Sequence, residues 1–444
     1  MFRVTLRRPG AVTLILGCPA PRRAGLASGA MRVLMISWEY PPVVYGGLGR
    51  HVHGLSEALV ADGHDVTVLT QAYEDAPADE SVHGVRIVRV RPGDDRRDFP
   101  RWVHRLNQAQ AGAGRALLDR WQPDVLHSHD WVAAEAGIAL AKAARRPLVA
   151  TIHATEAGLW NGWITTPLSQ ARHDTETWLV RAANRTIVCS EAMRAEVSAA
   201  LKVPADRLMK VHNAVDLSAW RTPSDQQERA RAELGVPSDA PLVVLAGRIE
   251  WEKGGDVAVR ALPSIRRARP GTHLVVAGTG SQRPTLETLA RVRRVFRSVR
   301  FAGHLAEAEL AALLGAADVA LVPSSYEPFG MVALEAGAAG TPVVAGAAGG
   351  LPEVVASGRT GLLVPPRDPE ALAVAVVAVL QDPALAARLV LAAQRDIEAR
   401  FVWPVAARAT EKVYAEAIAD ARPPRRRPRP VDLGNVFTGE PVGK

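Results

Sequence analysis

Cysteine is almost missing from this 444-residue chain, which holds only Cys18 and Cys189. Two thiols cannot build a disulfide framework, and these two lack the paired spacing of a zinc site, so a reducing, cytoplasmic setting is expected. Long apolar runs are missing as well. The longest, residues 371–380, is about half of the roughly 20 residues that a helix needs to cross a bilayer. No membrane span is expected. A basic excess across the folded body is also absent. The formal charge is +8, but residues 1–30 carry five arginines and no acid, and residues 421–444 carry a net +4, which leaves −1 for residues 31–420. A nucleic-acid partner is therefore not expected, and the basic tails would at most touch an anionic surface weakly.

What remains is ordinary for a folded protein, with 48% hydrophobic and 23% charged residues. At this length two domains are expected rather than one core. Arg3, Arg7 and Arg8 precede the apolar residues 11–16 as in a secretory signal, yet that stretch is short and more arginines follow it. Residues 1–30 accordingly read as a disordered or mis-assigned leader, with Met31 opening the first strand. Residues 421–444, rich in proline and arginine, lack the apolar content to fold and read as a disordered tail.

Between those ends, short apolar runs alternate with helix-period segments. Candidate strands are residues 32–37, 65–70, 86–90, 125–128, 148–152, 186–189 and 208–212, then 241–246, 273–277, 299–301, 319–322, 342–345 and 361–364. Several are apolar throughout, as strands buried on both faces of a parallel sheet must be. The polar, proline-containing residues 218–240 separate the two arrays and read as a linker. The expected organisation is an N-terminal Rossmann-like domain over 31–217, a second over 241–402, and a C-terminal helix over 403–420.

Three strand-to-helix turns carry candidate chemistry. The first ends in Gly46, Gly47 and Gly49, where the backbone can approach an anion at a helix N-terminus; the spacing is not G-x-G-x-x-G. The second, Gly247-Arg248-Ile-Glu-Trp-Glu-Lys253, places two cations at the C-terminal end of a strand, where open α/β sheets bind ligands. The third, running from Pro323 to Glu335, brackets Gly330, Met331 and Val332 with Glu327 and Glu335, eight residues apart. Carboxylates suit vicinal hydroxyls, and free amides suit a phosphate. Each turn read alone also has a plain structural account: close packing, a surface ion pair with Glu250 or Glu252, and a helix cap.

Taken together they resemble a known family. The E-x7-E pair, the early Gly-Gly-Leu-Gly and the Gly-Arg-x4-Lys-Gly are similar to the GT-B glycosyltransferases of family 4 and their glycogen synthase relatives. His127-Ser-His129-Asp130-Trp131, Thr151-Ile-His153-Ala154, His212-Asn213, Gly278-Thr-Gly280 and Gly349-Gly350 follow in the family's order across residues 31–420. The wording is most similar to actinobacterial α-1,4-glucan glucosyltransferases of the glycogen and methylglucose lipopolysaccharide type.

The resemblance implies two doubly wound Rossmann-like domains facing across a cleft. It implies no cofactor beyond a nucleotide-diphosphate sugar donor, and a glucan or oligosaccharide acceptor. Arg248 and Lys253 would hold the donor diphosphate, Glu327 the donor sugar, Glu335 the ribose, and Gly278 with Gly280 would lie near the nucleotide. His153 would reach the transferred sugar, with Asp130 and Asn213 completing that side. No D-x-D element occurs, so no metal is expected at the diphosphate. His127 and His129 share a strand face without an evident third ligand. ADP-glucose-dependent synthases carry a lysine where this chain has Val44 and an aspartate where it has Arg50, which tilts the expected donor toward UDP-glucose. A GDP-mannose-dependent mannosyltransferase on a lipid or glycan acceptor is the alternative. Trp131, Trp160 and Trp163 are candidates for a sugar-stacking platform.

Overall fold

The computed structural model describes residues 29–74, 76–93 and 96–421. Of the expected leader over 1–30 and the expected tail over 421–444, residues 1–28 and 422–444 lie outside the described residues.

Fourteen strands are formed among the described residues. The first lobe holds β1 (Arg32–Ile36), β2 (Asp65–Gln71), β3 (Asp79–Val82), β4 (Val85–Val90), β5 (Val125–His129), β6 (Leu148–Ile152), β7 (Arg185–Val188) and β8 (Leu208–Lys210). The second holds β9 (Leu242–Ala246), β10 (His273–Ala277), β11 (Val299–Gly303), β12 (Val319–Val322), β13 (Val343–Gly346) and β14 (Leu362–Val364). The first sheet runs in the order 3-4-2-1-5-6-7-8 and the second 11-10-9-12-13-14. Every neighbouring pair is parallel except β3 with β4. The central strands β5, β6, β12 and β13 are buried at every position, as helices on both faces of a parallel sheet require; β12 and β13 are apolar runs, whereas β5 buries His127, Ser128 and His129.

The strand orders fix where a ligand can bind. In the first sheet successive strands leave β1 toward β2 on one side and start again at β5 on the other; in the second the same reversal falls between β9 and β12. Open α/β sheets bind ligands outside the carboxyl ends of strands at such reversals. The turns after β1, β5, β9 and β12 carry the glycine turn, Asp130, Arg248 with Lys253, and Glu327.

The strand without a sequence signal is β3. Its residues Asp79, Glu80 and Ser81 are polar, and it pairs antiparallel at the sheet edge, where Asp79 meets Arg86 at 2.7 Å and Glu80 meets Arg89 at 2.5 Å. Cross-strand charge rather than alternation supports it. Residues 218–240 include the helix Ser224–Glu233, anchored to the second lobe where Arg231 Nη1 donates to the Ala316 carbonyl at 2.7 Å. The final helix, Trp403–Ala419, returns to the first lobe. There it lies against the helix Gly47–Ala61, and Gly54 leaves space for Trp403, whose Cε2 would stand 2.1 Å from a β-carbon at residue 54. Fully buried Tyr414 on this helix is hydrogen-bonded to His127 at 2.7 Å.

Candidate active site

The first lobe's contribution begins with a buried carboxylate. Glu39, in the turn after β1, accepts the backbone N–H of Tyr45 at 2.8 Å and of Gly46 at 3.2 Å. Burial pushes this carboxyl above its usual range, while those amides and the charge of Arg248 pull it back. A side chain at Gly49 would crowd this carboxylate, since a β-carbon would sit 3.0 Å from Glu39 Oε2 and 3.1 Å from its β-carbon, and Glu39 would have to give way by a few tenths of an ångström. The helix Gly47–Ala61 then starts with no side-chain cap. Across the cleft the helix Met331–Ala339 also starts uncapped, after Gly330 at φ +115°. A β-carbon on Gly47 would be 3.3 Å from Met331 Cγ. Two helix N-termini thus face each other; Glu39 already takes the Gly46 and Gly49 amides of the first, which leaves the terminus of Met331–Ala339 as the seat for an anion.

Three cations reach this region, each against a carboxylate. Lys253 Nζ lies 2.9 Å from Glu327 Oε2, which also accepts from Ser324 Oγ at 3.2 Å. Arg248 Nη2 lies 3.1 Å from Glu252 Oε1 and keeps over half of its side chain exposed. Arg50 crosses between the lobes to form a close ion pair with fully buried Glu335, while its Nε stands 3.9 Å from Glu307 and its guanidinium covers Trp220 at 5.5 Å. Burial pushes the Glu335 carboxyl up and Arg50 opposes it. Glu335 Oε2 has no hydrogen-bond partner among the described residues.

Asp130 sits at φ +58° and ψ 175°, a region nearly reserved for glycine and worth about 1–3 kcal/mol of strain. The strain is held by its Oδ1, which accepts the His153 backbone N–H at 2.7 Å. Burial raises this carboxyl to about 7, with the Glu39 charge adding to the effect. Glu39 is thus within electrostatic reach of both Asp130 and Arg248, which sets the two lobes' contributions around one crevice. His153 Nε2 stands 3.3 Å from His129 Nδ1, and the His51 ring lies 4.8 Å from the His153 ring. Burial holds His51 down to about 4 and keeps His127, His129 and His153 well below the usual histidine range, so all four imidazoles are neutral at pH 7. Asn213 lies beside His51.

Gly278 and Gly280 owe their identity to packing. A β-carbon on Gly278 would stand 1.8 Å from the Gly247 carbonyl, and one on Gly280 2.2 Å from that of Ile249. They let the turn after β10 lie directly on the turn that carries Arg248. The expected tryptophan platform divides. Trp131 packs edge-on to Phe99 at 6.1 Å, and Arg172 covers its ring at 5.5 Å, so its face is taken. Trp160 instead stacks across the cleft on Trp251 of the second lobe, 5.7 Å between centroids and 29° between planes, and Trp163 is exposed nearby in sequence.

Sequence reasoning gave no role to Glu39, His51 or Trp251, and treated Arg50 only as a departure from a pattern. Trp251 lies inside the quoted Gly247–Lys253 motif, and Glu39 lies in the same strand-to-helix turn as Gly46, Gly47 and Gly49. The lobes are further joined where Ser190 Oγ donates to the Pro328 carbonyl at 2.7 Å, where Glu353 takes His212 at 3.2 Å and Lys210 at 3.3 Å, and where Tyr326 donates to Glu196 at 3.0 Å.

Comparison with known proteins agrees with this geometry. Residues 45–219 match the family described as Glycosyltransferase Family 4, and residues 226–396 match Glycosyl transferases group 1. The chain is 44% identical over 412 residues to a glycogen synthase of Mycobacterium tuberculosis, covering 89% of this chain and 97% of that one. It is 35% identical to a D-inositol 3-phosphate glycosyltransferase of Streptomyces avermitilis, covering 90% of each chain. Among solved structures, sucrose-phosphate synthase from Thermosynechococcus elongatus superposes with a TM-score of 0.75 at 28% identity, over 88% of this chain and 99% of that one. No single helix among the described residues is long and apolar enough to cross a membrane. With both sheets, the facing helix N-termini and the family matches in place, the chain belongs to the GT-B glycosyltransferases of family 4 and is a hexosyltransferase.

Proposed function

We propose that this enzyme is a retaining, metal-independent glucosyltransferase that moves glucose from a nucleotide-diphosphate donor, UDP-glucose in preference to ADP-glucose, onto an α-1,4-glucan. The observation that carries the reading is the meeting of Lys253 and Glu327 beside the uncapped N-terminus of the helix Met331–Ala339. The amides and Lys253 would receive the diphosphate, Glu327 the sugar hydroxyls and Glu335 the ribose. Arg248 projects from the same turn and supplies a second cation. A cytoplasmic setting follows from the two cysteines and from the donor class.

In the proposed step the acceptor hydroxyl oxygen bonds to the anomeric carbon from the face that the diphosphate leaves. The anomeric carbon–phosphate oxygen bond breaks, and the departing phosphate oxygen takes the acceptor's proton. The products are a nucleoside diphosphate and a glucan one unit longer. Negative charge grows on the leaving group as that bond breaks, so fixed cations and oriented amides stabilise the transition state more than the ground state. Asp130 holds the His153 backbone in place, and His153 borders the transferred sugar. Val44 packs against Gly49 where ADP-glucose enzymes present a lysine, and Arg50 is the cation that this chain offers from the same turn.

The test is a donor panel of UDP-glucose, ADP-glucose and GDP-mannose with a short maltooligosaccharide. Proton NMR of the first product would read the anomeric configuration. Transfer with UDP-glucose giving an α-linked product is expected. Transfer with GDP-mannose alone, or a β-linked first product, would refute the reading.

A further inference from the structure

Three imidazoles from three elements meet beneath the sugar side of the cleft: His51 from the helix Gly47–Ala61, His129 from the end of β5, and His153 from the turn after β6. Each offers a ring nitrogen, and these nitrogens lie within 4.8 Å of one another. Both nitrogens of His51 and Oδ1 of Asn213 are buried without a close hydrogen-bond partner among the described residues, and the Asn213 side chain can satisfy one His51 nitrogen at most. Buried polar atoms are partnered in about nine cases of ten or more, so the His51 nitrogen left over calls for a ligand. His127, the next imidazole along, is not part of this set: Tyr414 holds one nitrogen at 2.7 Å and Thr151 the other at 2.6 Å.

A pyranose cannot answer for these atoms. His51 is 1% exposed and His129 fully buried, both screened from the cleft by neighbouring side chains, whereas a single ion is small enough to enter beside the partly exposed His153. We propose that His51, His129 and His153 form a binding site for a borderline transition-metal ion of the Zn2+ class, and that an ion seated there obstructs His153 and inhibits transfer. Three imidazoles favour Zn2+, Cu2+ or Ni2+ over the oxygen-seeking Mg2+ and Ca2+. Bonds of about 2.0–2.1 Å in a tetrahedron set ligand nitrogens about 3.4 Å apart. His129 Nδ1 and His153 Nε2 already stand 3.3 Å apart. The widest pair, at up to 4.8 Å, has to close by about 1.4 Å to reach that spacing, a small rotation of an imidazole. Asn213 Oδ1 or water would take the fourth position. The ion is an inhibitor and has no part in the transfer step.

The binding part stands on geometry alone, and the inhibitory part rests on the proposed function, so the test separates them. Co2+ is titrated into the EDTA-treated full chain, and the visible d–d absorption of four-coordinate cobalt is followed. One ion per chain is expected, displaced by Zn2+. The band is lost in His51→Asn and in His129→Asn and kept in His127→Asn, with thermal melts showing that each variant is folded. Transfer with UDP-glucose should fall at least tenfold on adding Zn2+ and return with EDTA. A band that is missing, or that survives in both His51→Asn and His129→Asn, overturns the site. Full transfer activity with the ion bound overturns the inhibition. Should no donor in the panel be used at all, the cobalt band still decides the site on its own.

Discussion

Replacing Arg50 by glutamine should destabilise the enzyme in a manner that depends on pH. Glu335 is fully buried, and among the described residues its Oε2 is unpartnered and Arg50 is its only counter-ion in contact. Removing one member of a dry ion pair costs about 3–5 kcal/mol because the other charge stays buried. Arg50 keeps a quarter of its side chain exposed, so a cost of about 2–3 kcal/mol is expected. At roughly 2–4 °C per kcal/mol for a domain of this size, the melting temperature would fall by about 4–12 °C. Burial already raises the Glu335 carboxyl with Arg50 present, and without Arg50 it rises further. The folded state then binds the proton more tightly than the unfolded chain. The variant's stability is therefore highest below the unfolded carboxylate pKa and declines as pH climbs toward the raised folded value. Differential scanning fluorimetry between acidic and neutral pH should show the gap to wild type widening as pH rises. Adding Glu335→Gln to Arg50→Gln removes the buried charge and should recover at least half of the loss. A pH-independent gap, or a double variant no better than the single one, would refute the reasoning.

Three further outcomes follow from the site. Lys253→Ala should lower turnover at least about tenfold, since a hydrogen bond to a charged group is worth roughly 1.5–3 kcal/mol; steady-state kinetics with saturating donor reads it, and wild-type turnover would contradict it. Asp130, raised to about 7 by burial, gains its negative charge as pH rises through neutrality, and the charged form accepts the His153 amide better. The rate should therefore climb through about pH 7 in wild type, whereas Asp130→Asn should be slow and flat across the same range, and a profile with no step near neutrality would count against it. Trp160→Ala and Trp251→Ala should each raise the acceptor KM about 3–10-fold, taking an aromatic stacking contribution of about 0.5–1.5 kcal/mol, and an unchanged acceptor KM would remove the pair from acceptor binding.

The parts of this enzyme that sequence discloses are those settled within one strand-turn-helix unit. Continuous apolar runs placed most central strands to within a few residues, because a strand buried on both faces is mostly apolar; β5 is the exception, with His127, Ser128 and His129 buried in it. Strand β3 escaped because an edge strand needs no apolar residues, and its Asp79 and Glu80 are selected by arginines on β4. The glycine turns, Arg248, Lys253 and Glu327 stood out as candidates for the same local reason, whereas Asp130 was named only through the family resemblance. Arg50 with Glu335 was not, since these residues are 285 positions apart and meet only once two separately folded lobes are set against each other. Trp160 with Trp251 was hidden likewise, and the three-imidazole cluster was hidden because His51, His129 and His153 come from three separate elements of the first lobe.

That dependence on the lobes' placement bears on how the donor is recognised. Arg50, Arg248 and Lys253 each already hold a carboxylate, so the cleft presents paired charge rather than bare positive charge. On the proposed function a diphosphate would compete with Glu327 for Lys253, with the uncapped N-terminus of the helix Met331–Ala339 supplying the surplus. Once Lys253 turned to the diphosphate, the Glu327 carboxylate would be released beside it, free to accept from sugar hydroxyls. A free phosphate lacks the sugar that would satisfy that carboxylate, and a free sugar lacks the charge that would release it. In this reading the Lys253–Glu327 pair makes recognition of the two halves of the donor interdependent, so an intact nucleotide sugar should bind more tightly than the separate affinities of nucleoside diphosphate and glucose predict. Isothermal titration of the three ligands would measure that excess. Strict additivity would show that the two side chains act independently.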